Sequence, residues 1–159
     1  MSDDPLRAQL ARLLSWREAH ATFDDAVEGL APALRGVRAP GAPHSPWELV
    51  EHVRLAQEDI LDFCRNPSYR ERTWPDDYWP PSPAPPDDEA WTRSIAGVRR
   101  DRTALERMAL DPAVDLLARI PHGNGQTYLR ELLLVAGHGA YHAGQLVLVR
   151  QLLGAWPAG

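Results

Sequence analysis

Apolar residues recur at helical spacing through four stretches of the chain, and no stretch sustains the period-two alternation of a strand. The first pattern runs from about Pro5 to Leu30, with Leu6, Leu10, Leu13, Leu14, Trp16, Phe23, Val27 and Leu30 mostly on one face. Pro5 suits a first helical turn. Ala31 to Ala42, punctuated by Pro32, Gly36, Pro40 and Gly41, reads as a connection. The second pattern has the clearest start: Ser45 as cap, Pro46 at the first helical position and Glu48 three residues after the cap make a capping box. It continues through Leu49, Val53, Ala56, Ile60 and Phe63 and should stop near Asn66-Pro67. The third begins at Asp87-Asp88-Glu89, whose charge suits a helix N-terminus, and runs through Trp91, Ile95, Val98, Leu105 and Met108 to about Leu110. A short turn of helix is expected after Pro112, through Val114, Leu116 and Leu117, followed by a loop at Pro121–Gly125. The fourth runs from about Thr127 to Leu153, with Gly154 as a left-handed cap.

Between the second and third patterns, residues 75–86 hold six prolines in twelve positions and exclude helix and central strand. Trp74, Tyr78 and Trp79 interleave with them, which argues against a freely solvated linker and leaves a lid-like loop or a packed arm. The pattern as a whole predicts an all-α fold: a four-helix bundle with a long proline-rich crossover between helices two and three. At 159 residues it should form one domain spanning 1–159.

Composition narrows the function classes. The chain is 44% hydrophobic and 25% charged, ordinary values for a globular protein. A net charge of −5, with arginines dispersed through every helix pattern, argues against nucleic acid. The acidic Met1-Ser2-Asp3-Asp4 start lacks a signal-peptide pattern, and no uninterrupted apolar run approaches the roughly 18 residues that span a bilayer, so the cytoplasm is expected and no membrane partner. The single cysteine, Cys64, fits a reducing compartment and reads as a small buried hydrophobe rather than a reactive thiol.

The chemistry lies in the histidines. His138 and His142, in Gly137-His138-Gly139-Ala140-Tyr141-His142-Ala143-Gly144, stand one turn apart on one face of the fourth helix, a spacing that lets two imidazoles grip one ion. His52 lies beside the apolar stripe of the second helix and points inward as a third candidate. The competing reading is that the pair only hydrogen-bonds inside the bundle. The glycines at 137, 139 and 144 each cost about 1 kcal/mol in a helix interior, so they should allow close helix approach or leave space for a ligand. No His-Glu-x-x-His and no Glu-x-x-His occurs, which argues against a zinc-protease base and a di-iron centre. Three imidazoles with open positions suit zinc, nickel or iron in a mononuclear site. Such an ion polarises carbonyls and lowers the pKa of a bound water or thiol. Glu48, Gln145 and Tyr141 are candidates to orient the imidazoles; His20 could line the cavity, whereas His44 and His122 read as loop residues.

On these residues the chain resembles the DinB-like (DinB/YfiT-like) superfamily of metal-binding four-helix bundles. The resemblance rests on His44-Ser45-Pro46-Trp47-Glu48-Leu49-Val50-Glu51-His52 and on His138-x-x-x-His142-Ala143-Gly144-Gln145-Leu146, with Tyr78-Trp79-Pro80 and Gly125-Gln126-Thr127-Tyr128-Leu129-Arg130-Glu131 in support. It implies that His52, His138 and His142 hold a divalent metal, commonly nickel or zinc, often in a homodimer. It further implies low-molecular-weight thiol transfer or metal-dependent hydrolysis on a small molecule, although many relatives have no known activity. Larger polar residues often flank His138 in similar sequences; Gly137 and Gly139 depart from that pattern.

Two functions of different class follow. One is a mononuclear-metal-dependent enzyme, hydrolase or thiol transferase, over whose substrate the Trp74–Trp79 segment closes. The other is a non-catalytic metal- or small-molecule-binding stress-response protein. Leu146, Val147, Leu148, Val149, Leu152 and Leu153 give the fourth helix apolar residues on several sides, which fits a central position or a dimer contact.

Overall fold

Capping chemistry sets most of the helix boundaries. The computed structural model describes residues 4–157, which form five α-helices and, among the described residues, no strand beyond one isolated antiparallel bridge between Arg119 and Thr127. The protein is all-α. The helices are α1 (Pro5–Leu13), α2 (Phe23–Val27), α3 (Pro46–Arg65), α4 (Asp88–Leu110) and α5 (Tyr128–Leu152). Ser45 opens α3 with a reciprocal capping box: its hydroxyl accepts from the Glu48 amide at 3.2 Å, and the Glu48 carboxylate accepts from the Ser45 amide at 2.7 Å. Asp87 and Thr127 cap α4 and α5 by accepting from the Ala90 and Arg130 amides. Gly154, at φ +67°, follows α5 in the left-handed conformation its position predicts.

Three expectations fail, the smallest at Asp76–Tyr78, where a single 3-10 turn follows Pro75 within the segment from which helix was excluded. The helix expected over Pro5–Leu30 is broken: α1 ends at Leu13, and residues 14–22 are irregular before α2. Thr22 and Asp25 form a second capping box, with aspartate in the place usually held by glutamate, and this local start outcompetes continuation of the apolar pattern. The helical turn expected after Pro112 is instead a pair of turns. The Asp111 and Asp115 carboxylates accept from the Ala113 and Leu117 amides, each two residues on, and so satisfy the backbone without a helix.

α3 packs against both α4 and α5, α1 against α4, and α2 against α5. The apolar interior divides into two clusters. One gathers Phe23, Val27, Val50, Val53, Trp91 and Leu146; the other gathers Leu10, Cys64, Leu105, Met108, Ile120 and Val135. Along α5, His138 and His142 fall between Val135 of the second cluster and Leu146 of the first. The histidines therefore sit where the apolar packing is interrupted.

The connection 66–87 is a packed arm rather than a free lid. Arg72 donates to Glu58 at 2.7 Å, Ser45 Oγ donates to the Pro83 carbonyl, and Ala84 lies so close to Gly36 that a Cβ there would sit 2.4 Å from the Ala84 Cβ. Gly36 is the price of that approach.

α5 meets, by length and composition, the membrane-crossing requirement that no uninterrupted apolar run meets. It carries two buried charges with partners inside the protein. Glu131 accepts from Arg130 at 2.7 Å. Arg150 donates to the Ala26, Glu28 and Ala155 carbonyls at 2.9, 2.8 and 2.9 Å and lies 5.1 Å from the centre of the Trp156 ring. This one guanidinium ties α5 to the end of α2 and to the chain that follows α5. Substitution Arg150→Met leaves those carbonyls without a donor and should lower unfolding free energy by about 2–3 kcal/mol, read as a shift in the urea midpoint.

Candidate metal centre

α3 contributes His52 from its second turn, and α5 contributes His138 and His142. Their ring nitrogens meet. His138 Nε2 lies 3.0 Å from His52 Nε2 and 3.0 Å from His142 Nε2, and the three side chains form a cluster able to hold a metal ion. His52 and His142 are buried and His138 is half-buried.

Hydrogen bonds on the far side of two rings decide where their protons are. His52 Nδ1 is 2.9 Å from the Tyr78 carbonyl, a group that only accepts, so Nδ1 carries the proton and Nε2 is bare. His142 Nδ1 is 2.7 Å from Gln145 Oε1, whose amide nitrogen in turn donates to Tyr141 Oη at 3.3 Å. That ring too carries its proton on Nδ1. His138 Nε2 thus faces two lone pairs and, even when protonated, can donate along only one of the two contacts.

Burial foremost, and then the neighbouring histidines, lowers the pKa of both His138 and His142 to about 4; burial likewise lowers that of His52. All three rings are neutral at pH 7, as metal ligation requires. Two imidazole nitrogens bound tetrahedrally to one zinc ion at about 2.0–2.1 Å sit about 3.3–3.4 Å apart, so the observed 3.0 Å contacts come within about 0.4 Å of the spacing a shared ion needs.

The arm supplies the wall. The Trp79 ring stacks on His52 with centroids 4.0 Å apart and planes 5° from parallel, and His44 stacks on Trp79 at 4.1 Å. Trp74, 67% exposed, lies edge-to-face with His52, ring centroids 6.3 Å apart. A polar groove of about 370 Å³, lined by Asp59, Tyr69, Tyr78, Gln126, Arg130 and Leu134 among others, shares Tyr78 with the centre but none of the three histidines.

The structure brings His52, His138 and His142 together and separates Glu48, His20 and His122 from them. Gln145 and Tyr141 do orient His142. Glu48 does not reach the centre, being held by the Ser45 amide and the Arg38 guanidinium. His20 is exposed and lines a separate small cavity with Phe23, Val53 and Gly139. His122 Nε2 donates to the Phe63 carbonyl at 2.8 Å and belongs to the loop that lines the groove. His44, expected to be a loop residue, is one as to position but also braces Trp79. Cys64 is buried, and burial together with Glu131 pushes its thiol up to about 12, which leaves it unreactive. Close helix approach is not the reason for Gly137, Gly139 or Gly144, since a Cβ at any of them meets nothing within 4 Å. Sequence reasoning missed the Tyr78 carbonyl and the Trp79 stack; the aromatic density of a proline-rich segment was the available signal.

The family model of the DinB superfamily matches residues 15–146, a span that includes all three histidines. No curated protein and no solved structure matches the chain.

The depressed histidine pKa values carry a stability consequence. The unfolded chain binds these protons near the ordinary value of 6.5 and the folded chain only near 4, so unfolding takes up protons between the two. The metal-free protein should hold its full stability above about pH 6.5 and lose part of it as pH falls towards 4. A His138→Ala, His142→Ala variant should show a shallower fall in Tm over the same window.

Proposed function

The chain belongs to the DinB superfamily, and from that membership together with the meeting of three imidazoles we propose that it is a mononuclear-metal protein that acts on a small molecule. His52, His138 and His142 are its ligands, and zinc or nickel is the ion they suit. The observation that supports this most is the pair of 3.0 Å contacts among ring nitrogens of which at least two are bare. A divalent ion at this point supplies Lewis acidity, which activates a water or a low-molecular-weight thiol towards an electrophile. The chain's own residues hold the three rings neutral and oriented, and Trp74 and Trp79 limit the approach of solvent beside His52. Hydrolysis or thiol transfer is the reaction class this arrangement suits.

A non-catalytic binding role is the second reading. It is favoured by one observation: the carboxylates on the His52 side of α3 are already engaged, Glu48, one turn before it, by Arg38 and the Ser45 amide, and Asp59, two turns beyond it, by Tyr69 and Tyr78. In either reading we take residues 1–159 as one cytoplasmic domain, a four-helix bundle with a long crossover after α3, acting without nucleic acid or membrane. The outward face of α5 suits a homodimer. Leu133, Tyr141, Leu148 and Leu152 are 47%, 64%, 54% and 52% exposed, with Gly137 and Gly144 among them and no charged side chain from Leu132 to Val149.

Elemental analysis of protein purified without a histidine tag tests the centre. About one zinc or nickel per chain is expected, lost in the His138→Ala, His142→Ala variant; protein that takes up neither metal on reconstitution would sink the reading. With metal established, a screen of thiols against electrophilic substrates and of ester or amide hydrolysis separates enzyme from binding protein, since turnover abolished by chelation is expected only of the enzyme. For the dimer, sedimentation should give twice the chain mass for the wild type and the chain mass for Leu148→Asp.

A further inference from the structure

Asp59 is a buried carboxylate that the metal reading leaves unused. It stands seven residues after His52 on α3, two turns along the same side of the helix, about 10 Å at 1.5 Å per residue. Its acceptors are all taken by the arm that follows α3. Tyr78 Oη donates to it at 2.7 Å and Tyr69 Oη at 3.1 Å, and the Arg72 guanidinium lies 3.5 Å away.

Tyr78 has a second contact at its other end. Its backbone carbonyl accepts the His52 Nδ1 proton, and the next residue, Trp79, covers the face of that same ring. The residue therefore lies along α3 as a brace, with the hydroxyl fixed on Asp59 and the carbonyl fixed on His52. We propose that Asp59 and Tyr78 are positioning residues for the three-histidine centre: Asp59 anchors the Tyr78 hydroxyl, which places the carbonyl that holds His52 in the tautomer with a bare Nε2.

The geometry argues for this over a purely structural role in two respects. The Tyr78 carbonyl leaves the end of a single 3-10 turn, Asp76–Tyr78, where the chain becomes extended at Trp79, so its aim depends on what anchors that short turn. The anchor here acts within the same residue that supplies the carbonyl. His142, by contrast, donates its outer hydrogen bond to Gln145 on its own helix and needs no such brace. The centre thus has one ligand pair pre-set by α5 and a third ligand whose readiness depends on the arm. The proposal rests on the reading of these histidines as metal ligands, but it concerns the state of the His52 ring and is measurable without metal.

The test uses the full chain as wild type, Tyr78→Phe, Asp59→Asn and, as a stability control, Ile95→Val on α4. Zinc affinity is measured by competition with a chromogenic chelator, and the His52 tautomer in metal-free protein by nitrogen NMR of the imidazole. Tyr78→Phe should weaken zinc binding by about tenfold to a hundredfold, the usual effect of losing an outer hydrogen-bond partner, and should convert the single Nδ1-protonated His52 signal into a tautomer mixture. Asp59→Asn, which keeps one acceptor oxygen, should fall between. Ile95→Val should lower Tm without moving either readout. Wild-type affinity and an unchanged His52 tautomer in both Tyr78→Phe and Asp59→Asn would overturn the proposal, as would an equal loss of affinity in Ile95→Val. If wild-type protein binds no zinc, the metal reading fails, and the tautomer measurement still decides the role of Asp59 and Tyr78.

Discussion

Three neutral imidazoles are held with ring nitrogens 3.0 Å apart, and the hydrogen bonds behind two of those rings deny them a proton to place between them. That is the constraint on which the rest of the molecule turns. Lone pairs at this separation repel, and a half-buried cluster has little water to relieve them. A neutral His138 with its proton on Nε2 relieves only one of the two contacts, and a further proton is opposed by burial, which lowers the pKa of His138 and His142 to about 4. A cation shared by all three is the arrangement that satisfies every donor atom at once. The cost of holding the cluster together is met by the packing of α3 on α5 and by the apolar clusters to either side of it.

Much of the irregular chain serves the same end. Ser45 caps α3 through its contact with the Glu48 amide and also donates to the Pro83 carbonyl, so the start of the helix that bears His52 is joined to the end of the arm that covers it. Gly36 lets Ala84 approach, and Arg72 pins the arm's beginning to Glu58. Between these points, Trp79 is held between His44 and His52 with nearly parallel rings. Prolines suit such a segment, because they restrict the unfolded chain while asking for no backbone donor. The arm is ordered by contacts with α3 together with short-range bonds of its own, such as those from the Asp77 and Tyr78 amides to the Thr73 and Pro75 carbonyls.

The sequence revealed what is local and periodic. The Ser45-Pro46-x-Glu48 start, the Asn66 stop, the Asp87 cap and Gly154 all follow from backbone chemistry within a few residues, and the structure has them. The i, i+4 pair on α5 was equally legible, because helical geometry alone places His138 beside His142. His52 was harder, since its meeting with the pair depends on how α3 packs. What stayed hidden depends on tertiary placement or on a local rule with an unfamiliar residue. Asp25 in the box that starts α2 is the latter; the Tyr78 carbonyl, a backbone atom with no signature in the sequence, is the former.

α5 is the element in which these demands collide. It must be apolar on the sides that meet α2 and α3, must carry two histidines and a glutamine that reads one of them, and must hold Glu131 and Arg150 in buried positions. Yet its outward face is apolar as well, and only 33% of its most apolar window is buried within the chain. Tyr141 joins that face to the centre: it is 64% exposed, its hydroxyl accepts from Gln145, and Gln145 accepts the proton of His142. The exposed Tyr141 hydroxyl is therefore the outermost member of a hydrogen-bond chain that ends at a candidate ligand, two hydrogen bonds along a single helix, just as the Tyr78 carbonyl bonds His52 from the arm on the other side.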